Sequence, residues 1–216
     1  MAKELHKEIY NLKERVVSMG QFSLEMLDKA MLALIKKDVN LAEEVVGKKD
    51  RIREFDSEIE AKALRLIALY QPMAIDVRRL ATILKTITYL ARIGRYGKDI
   101  ASAVEELSDK PYPSPLVNLE HMWEHVKKMI MNALKGFEEE DIKYIEDLGK
   151  RDDEVDEMRW SIFRECITYM MEDPKTITSC AFFAMIARYL ERCGDNACKI
   201  AEKVHYMVTG KHIEIT

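Results

Sequence analysis

Glycine and proline are scarce in this chain, which limits the number of turns it can form. Its 216 residues include eight glycines and five prolines. A fold made of many short strands needs many turns, and turns depend heavily on these two residues. The composition therefore argues against an all-β fold and favours a small number of long helices. We expect an all-α protein.

The chain also has few cysteines and little net charge. Its four cysteines form no C-x-x-C pair and all lie in the second half: Cys166, Cys180, Cys193 and Cys198. This distribution suits reduced thiols in a core better than a disulfide framework. The formal charge of −4 is too small to predict an electrostatic contact with nucleic acid or an anionic bilayer.

Long hydrophobic runs are absent from the N-terminal region. Its first residues, Met-Ala-Lys-Glu-Leu-His-Lys-Glu, are amphipathic and lack the apolar segment of a signal peptide or a spanning helix. With 48% hydrophobic and 33% charged residues, the composition is that of a globular protein. We expect a cytoplasmic protein that reaches a membrane only through protein partners.

Hydrophobic residues recur at three- and four-residue steps, a spacing that predicts six helices. The first three are predicted from about Leu5 to Lys37, Leu41 to Leu69 and Ile75 to Leu107. Proline cannot continue a helical hydrogen-bond ladder, so Pro72 ends the second helix. The proline-rich segment 110–115 is predicted to be a linker.

The second half of the sequence repeats the first with an offset of about one hundred residues. The matched pairs are Ala30 and Ala133, Asp38 and Asp141, Phe55 and Met158, Ile59 and Ile162, Pro72 and Pro174, Arg92 and Arg192, Gly94 and Gly194, and Ile100 and Ile200. We therefore expect two tandem three-helix bundles related by a pseudo-twofold repeat. The predicted units are 1–109 and 116–216, joined by the linker 110–115.

Two pairs of carboxylates in the second repeat are the strongest candidates for a functional site. Asp152 and Asp156 are four residues apart in one predicted helix, and Glu191 and Asp195 are four apart in the next. Residues at this spacing share a helix face. If these helices pack antiparallel, the carboxylates converge and repel one another unless a cation joins them.

An all-oxygen site of this kind suits hard cations such as Fe, Mn, Mg or Ca, whereas zinc prefers His or Cys ligands. The alternative is a solvated acidic face with salt bridges to nearby arginines. Those arginines are Arg151, Arg159, Arg188 and Arg192. The carboxylates alone do not choose between these interpretations.

Motifs for covalent or phosphoryl-transfer catalysis are missing. The chain has no glycine-rich phosphate loop, no G-x-S-x-G and no kinase segment. The stretch from His121 to His125 fits the zinc motif H-x-x-E-H, but three fixed residues are a weak signal and a helix face explains them. We expect a protein that is not an enzyme.

Four stretches of sequence carry a resemblance to a known family. They are Gln71-Pro72-Met73-Ala74-Ile75-Asp76-Val77-Arg78, Tyr169-Met170-Met171-Glu172-Asp173-Pro174, Tyr189-Leu190-Glu191-Arg192-Cys193-Gly194-Asp195-Asn196 and Ile200-Ala201-Glu202. With the tandem repeat, they make the chain similar to the PhoU family of phosphate-uptake regulators. The resemblance implies a cytosolic, often dimeric helical protein that represses the phosphate-starvation response, acting between a phosphate ABC transporter and a sensor histidine kinase.

The resemblance also implies a metal site, because some PhoU proteins bind iron or other metal clusters at E/DxxxD pairs in each repeat. Here the second repeat keeps both pairs. In the first repeat the equivalent positions are Lys49, Arg53, Ala91 and Arg95, or Asp50 and Glu54 in place of the first two if the alignment is counted from Pro72. Ala91 and Arg95 cannot bind a metal ion, so we predict one metal site, formed by Asp152, Asp156, Glu191 and Asp195.

The basic residues Lys49, Arg53 and Arg95 have two possible uses. They could neutralise carboxylates nearby, or they could hold an oxyanion such as phosphate. The alternative function for the whole chain is a ferritin-like protein that handles iron. Such bundles use two Glu-x-x-His pairs, and this chain has only one, Glu202 with His205.

Overall fold

The computed structural model describes residues 2–113 and 117–215, and most of these residues are helical. In these residues seven α-helices follow one another: α1 (Ala2–Lys36), α2 (Val39–Gly47), α3 (Lys49–Tyr70), α4 (Ile75–Leu107), α5 (Val117–Glu139), α6 (Leu148–Glu172) and α7 (Ile177–Thr209). Short 3-10 turns at Ile142–Tyr144 and Pro174–Thr176 precede α6 and α7. The predicted all-α fold with two three-helix bundles is confirmed.

The second predicted helix is divided into α2 and α3 at Lys48. The backbone N–H of Lys48 bonds to the carbonyls of Val45 and Val46 instead of to the carbonyl four residues back. This tighter pattern ends α2, and a new helix begins at Lys49. The periodicity of apolar residues continues across Lys48, so the sequence pattern does not reveal the break.

The two repeats share the same turn after their first helix. The carboxylate of Asp38 accepts a hydrogen bond from the N–H of Leu41, and that of Asp141 accepts one from the N–H of Lys143. The residues just before them, Lys37 and Glu140, have left-handed φ values of 54° and 53°. The predicted match of Asp38 with Asp141 therefore corresponds to one turn used twice.

The two bundles are joined where α4 packs against α7. The rings of Tyr96 and Tyr189 stack with centroids 5.6 Å apart. Further along, the hydroxyl of Thr82 donates to the carbonyl of Lys203 at 3.3 Å. Residue numbers rise along α4 as they fall along α7, so the two helices are antiparallel.

Polar contacts between the bundles supplement this packing. The carboxylate of Glu140 in the second repeat lies 2.6 Å from the ammonium of Lys13 and 2.8 Å from the guanidinium of Arg79, both in the first. Asp28 of α1 accepts hydrogen bonds from the indole of Trp123 and the ammonium of Lys127 in α5. All of these groups are partly buried, which strengthens their interaction.

The predicted linker is only partly described. Residues 110–113 come soon after α4 and contact α1 and α7. The Tyr112 hydroxyl donates to the carbonyl of Leu34 in α1, and the Ser179 hydroxyl of α7 donates to the carbonyl of Pro111. Residues 114 and 115 lie outside the described residues. The division of the chain into 1–109, 110–115 and 116–216 therefore stays a prediction.

Gly97 lets α1 and α4 approach closely. A Cβ atom at this position would lie 3.1 Å from the backbone N of Leu27 and 3.2 Å from the carbonyl carbon of Met26. These are backbone atoms of a buried helix, so they cannot move aside as a side chain can. By contrast, nothing lies within 4 Å of a Cβ placed on Gly47.

We expect Gly97→Val to lower the free energy of unfolding by about 2–3 kcal/mol, because the added side chain must push α1 and α4 apart. Urea unfolding followed by circular dichroism measures this. Gly47→Val is the matched control and should change stability by no more than about 0.5 kcal/mol. Equal effects of the two substitutions would contradict the close approach of α1 and α4.

Candidate functional site

A cavity of about 640 Å³ lies between α4, α6 and α7, where the two repeats meet. Its lining is Arg92, Arg95, Tyr96, Asp99, Asp152, Arg192, Asp195, Asn196, Cys198, Lys199 and Ile215. The cavity thus brings together two of the predicted acidic residues, Asp152 and Asp195, and one of the predicted basic residues, Arg95. Sequence reasoning had placed these groups in separate halves of the molecule.

Asp152 is a partly buried carboxylate at the wall formed by α6. Its Oδ1 atom lies 3.3 Å from where a Cβ on Gly194 would be, so the missing side chain of Gly194 makes room for it. Burial raises the pKa of Asp152 to about 6, and the nearby charges of Asp195 and Asp156 contribute to the increase. Negative charges therefore crowd here, as the two carboxylate pairs predicted.

The matching place in the first repeat is occupied by Ile52, with the hydroxyl of Ser23 3.4 Å from a Cβ on Gly94. The nearest atom to a Cβ on Gly94 is Cδ1 of Ile52, at 2.8 Å. An aliphatic side chain therefore covers this glycine, where a carboxylate lies against Gly194 in the second repeat. The two repeats therefore differ at this position.

Glu191 is buried and paired with two arginines. Its carboxylate lies 3.3 Å from Arg159 of α6 and also bonds to Arg188, one turn earlier in α7. Burial raises the pKa of Glu191, while Arg188 and Arg159 act to lower it and Asp156 and Asp195 to raise it. A buried carboxylate held in this way is not free to accept another cation while both pairs persist.

The other two predicted ligands are placed differently. Asp195 bonds to Arg192 at 3.1 Å, again one turn away on the same helix. Asp156 is exposed and lines a second cavity together with His121 and His125. The four carboxylates are near enough to influence one another's charge, but they do not all face one cavity.

Their chemistry, four carboxylates without His or Cys, suits a hard cation. Glu191 and Asp195 form salt bridges with arginines, as the alternative interpretation expects, whereas Asp152 and Asp156 have no ion-pair partner among the described residues. Among the described residues, no three His, Cys, Asp or Glu side chains are arranged to hold a metal ion. Binding would require the carboxylates of Glu191 and Asp195 to leave their arginines, so the metal site stays a prediction.

The three predicted basic residues do not form one group. Lys49 and Arg53 are exposed on α3, and Arg53 lies 3.5 Å from Asp50 of the same helix. Arg95 instead lines the cavity, beside Arg92 and opposite Arg192. The repeat alignment paired Arg92 with Arg192 as equivalent positions, but only the packing of α4 against α7 shows that both line this cavity.

The structure also shows the surroundings of the histidine motif and of Glu202 in the single Glu-x-x-His pair. The rings of His121 and His125 are 4.8 Å apart, and Nδ1 of His125 is 3.6 Å from Glu154. Glu202 is buried, pairs with Lys199 at 2.7 Å and accepts the backbone N–H of Ile215. It is therefore not available as an open iron ligand, and the ferritin-like alternative loses its one candidate pair.

All four cysteines are buried and free of disulfides, as expected of core thiols. Burial raises the pKa of the Cys166 thiol to about 12, which disfavours the nucleophilic thiolate at neutral pH. No helix in the part of the chain that the structure describes has the length and apolar character needed to cross a membrane.

The fold and the cavity define a tandem-repeat helical protein, with two three-helix bundles packed around a charged cavity. The family model described as the PhoU domain matches twice, at residues 16–104 and 119–204. The chain belongs to the PhoU family. The resemblance seen in the sequence is confirmed.

Known relatives match over nearly the whole chain. Two are named phosphate-specific transport system accessory protein PhoU homologues. The relative from Clostridium acetobutylicum is 33% identical, covering 99% of this chain and 98% of its own length. The relative from Caulobacter vibrioides is 36% identical, covering 98% and 92%. These names describe an accessory role in phosphate transport and not a catalytic one.

Two crystal structures share the fold. PhoU from Pseudomonas aeruginosa superposes with a TM-score of 0.91 at 32% identity, covering 95% of this chain and 99% of that one. The phosphate transport system regulatory protein PhoU from Streptococcus pneumoniae gives 0.90 at 27% identity, covering 97% and 99%.

The raised pKa of Asp152 predicts a pH-dependent stability. Its pKa is about 6 in the folded protein against an ordinary value of 3.8, so the folded state binds the proton more tightly. This group therefore makes the protein less stable as pH rises from about 4 to about 7. We expect Asp152→Asn to stabilise chelator-treated protein at pH 8 by about 1–2 kcal/mol, a value reduced for solvent screening.

Chemical unfolding at pH 4 and pH 8 tests this, and the difference between variant and wild type should vanish at pH 4. Glu157→Gln, an exposed carboxylate on the same helix, is the control and should behave like the wild type at both pH values. A destabilised Asp152→Asn protein at pH 8 would contradict the burial of an unneutralised charge.

Proposed function

We propose that this protein is a non-enzymatic adaptor that represses phosphate uptake and phosphate-starvation signalling. It acts by docking on components of a phosphate ABC transporter and on a sensor histidine kinase. The observation that carries this proposal is the nearly full-length match to relatives named phosphate-specific transport system accessory proteins. The double match to the PhoU domain shows that both repeats take part in the similarity.

The structure supports an adaptor more than a catalyst. Its charged cavity is lined mainly by residues of three helices, α4, α6 and α7. The cysteines are buried, and buried thiols are poor nucleophiles. We place the protein in the cytoplasm as a homodimer that reaches the membrane through its protein partners.

We further propose that Asp152, Asp156, Glu191 and Asp195 together form one metal site, with iron as the first candidate. The support is the crowding of negative charge around Asp152, which raises its pKa and which a cation would relieve. A bound cation would add positive charge to the wall of the cavity between the repeats. Arg159 and Arg188 must release Glu191 for all four carboxylates to take part.

Affinity purification from phosphate-replete cells tests the docking role. The tagged protein should recover components of the phosphate transporter or the histidine kinase, because relatives are named as accessories of that transport system. An unrelated helical protein with the same tag controls for nonspecific recovery. Recovery of neither component above that control would count against the adaptor role.

Metal analysis of the purified protein tests the carboxylate site. Asp156→Ala combined with Asp195→Ala should abolish bound metal while the helical circular dichroism signal is retained, since both side chains are at least partly exposed. The matched control, Glu105→Ala with Glu106→Ala, removes two exposed carboxylates of α4 outside the cavity lining. Unchanged metal content in the first variant would refute the ligand assignment.

A further inference from the structure

The cavity between the repeats contains more positive charge than its ion pairs neutralise. Most charged groups of its lining have a partner: Arg192 with Asp195 at 3.1 Å, Asp99 with Lys98 at 3.2 Å, and Lys199 with Glu202 at 2.7 Å. The lining groups that remain are Arg92, Arg95 and Asp152. Two arginines against one carboxylate leave a net positive charge in the cavity.

Arg92 and Arg95 are neighbours on one face of α4, because they are three residues apart. No carboxylate of the described residues lies within ion-pairing distance of either one. The guanidinium of Arg92 is 5.9 Å from the ring of Tyr89. The positive charge of Arg95 acts to lower the pKa of Asp56, which burial raises, but the two side chains do not form an ion pair. Two adjacent unpaired arginines repel each other, and a shared anion would relieve that repulsion.

The opposite wall of the cavity supplies further donors. One terminal nitrogen of Arg192 in α7 donates to Asp195. The other N–H groups of its guanidinium are available to donate to an anion. Tyr96 adds a phenol, and its ring is held in place by stacking on Tyr189. Arginine forks match the geometry of a tetrahedral oxyanion, since each can donate two parallel hydrogen bonds.

We propose that this cavity binds phosphate or the phosphoryl group of a phosphoester, held by Arg92 and Arg95 of α4 and Arg192 of α7. The volume of about 640 Å³ is within the range of small-molecule sites, about 300–1,000 Å³. Because α4 belongs to the first repeat and α7 to the second, the ligand contacts both. The inference goes beyond the docking function and does not rest on it.

The lining contains one carboxylate without an ion pair, that of Asp152. Asp152 belongs to α6 and lies against Gly194, whereas the two unpaired arginines belong to α4. The oxyanion is therefore assigned to the space between Arg92 and Arg95 of α4 and Arg192 of α7. Lys49 and Arg53, which the sequence suggested for an oxyanion, are exposed on α3 and do not line the cavity.

Isothermal titration of the chelator-treated protein tests this site at constant ionic strength, with inorganic phosphate in one arm and magnesium-free ATP in the other. The wild type should show saturable binding in at least one arm, and the arm with the higher affinity identifies the source of the phosphoryl group. Arg92→Gln combined with Arg95→Gln should weaken that binding by about tenfold or more, the loss expected for two charge-assisted contacts.

Arg53→Gln is the matched control, because it removes an exposed arginine of the neighbouring helix; its affinity should stay within about twofold of wild type. The single variants Arg92→Gln and Arg95→Gln should each bind more weakly than this control. Circular dichroism and thermal midpoints confirm that the variants are folded, as expected for exposed positions. Absence of saturable wild-type binding in both arms, or a double variant with wild-type affinity, would overturn the proposal, whatever the affinity purification shows.

Discussion

The antiparallel packing of α4 against α7 is the interaction on which the rest of the structure depends. These are equivalent helices of the two repeats, and each buries one face against the other as well as against its own bundle. Stacking of Tyr96 on Tyr189 and the hydrogen bond from Thr82 to Lys203 hold them in register. The charged cavity exists only because of this contact, since α4 supplies its unpaired arginines and α7 most of its remaining polar groups.

Burial and pairing with arginines determine the state of the acidic residues. Glu191 is buried, so its charge is costly unless it is neutralised, and Arg159 and Arg188 do so. Asp152 has no arginine partner, so its burial raises its pKa. A metal ion would relieve Asp152 but would have to displace the arginines from Glu191. The proposed metal site therefore depends on whether the relief of Asp152 outweighs the loss of the ion pairs of Glu191.

Most of the fold could be predicted, and the site only in part. The third predicted helix has the bounds of α4, because a proline turn precedes it and a proline-rich segment follows. The break at Lys48 was missed, because apolar periodicity runs through it. Asp152 and Asp195 do line one cavity, whereas Lys49 and Arg53 are exposed on α3. The sequence left two uses open for these basic residues, because aligning the repeats locates equivalent positions and does not show which positions meet in space; Arg53 lies beside Asp50, as the first of those uses expects.

The sequence by itself determined the helical class, the repeat and the family, since these depend on local periodicity and on motifs that can be compared along the chain. Only the tertiary structure decided which charged side chains face one another. Arg95 and Asp195 occupy equivalent positions in the two repeats, yet both line the same cavity. The physical reason is that ion pairing and burial depend on distances between helices, and those distances are set by how the two bundles pack.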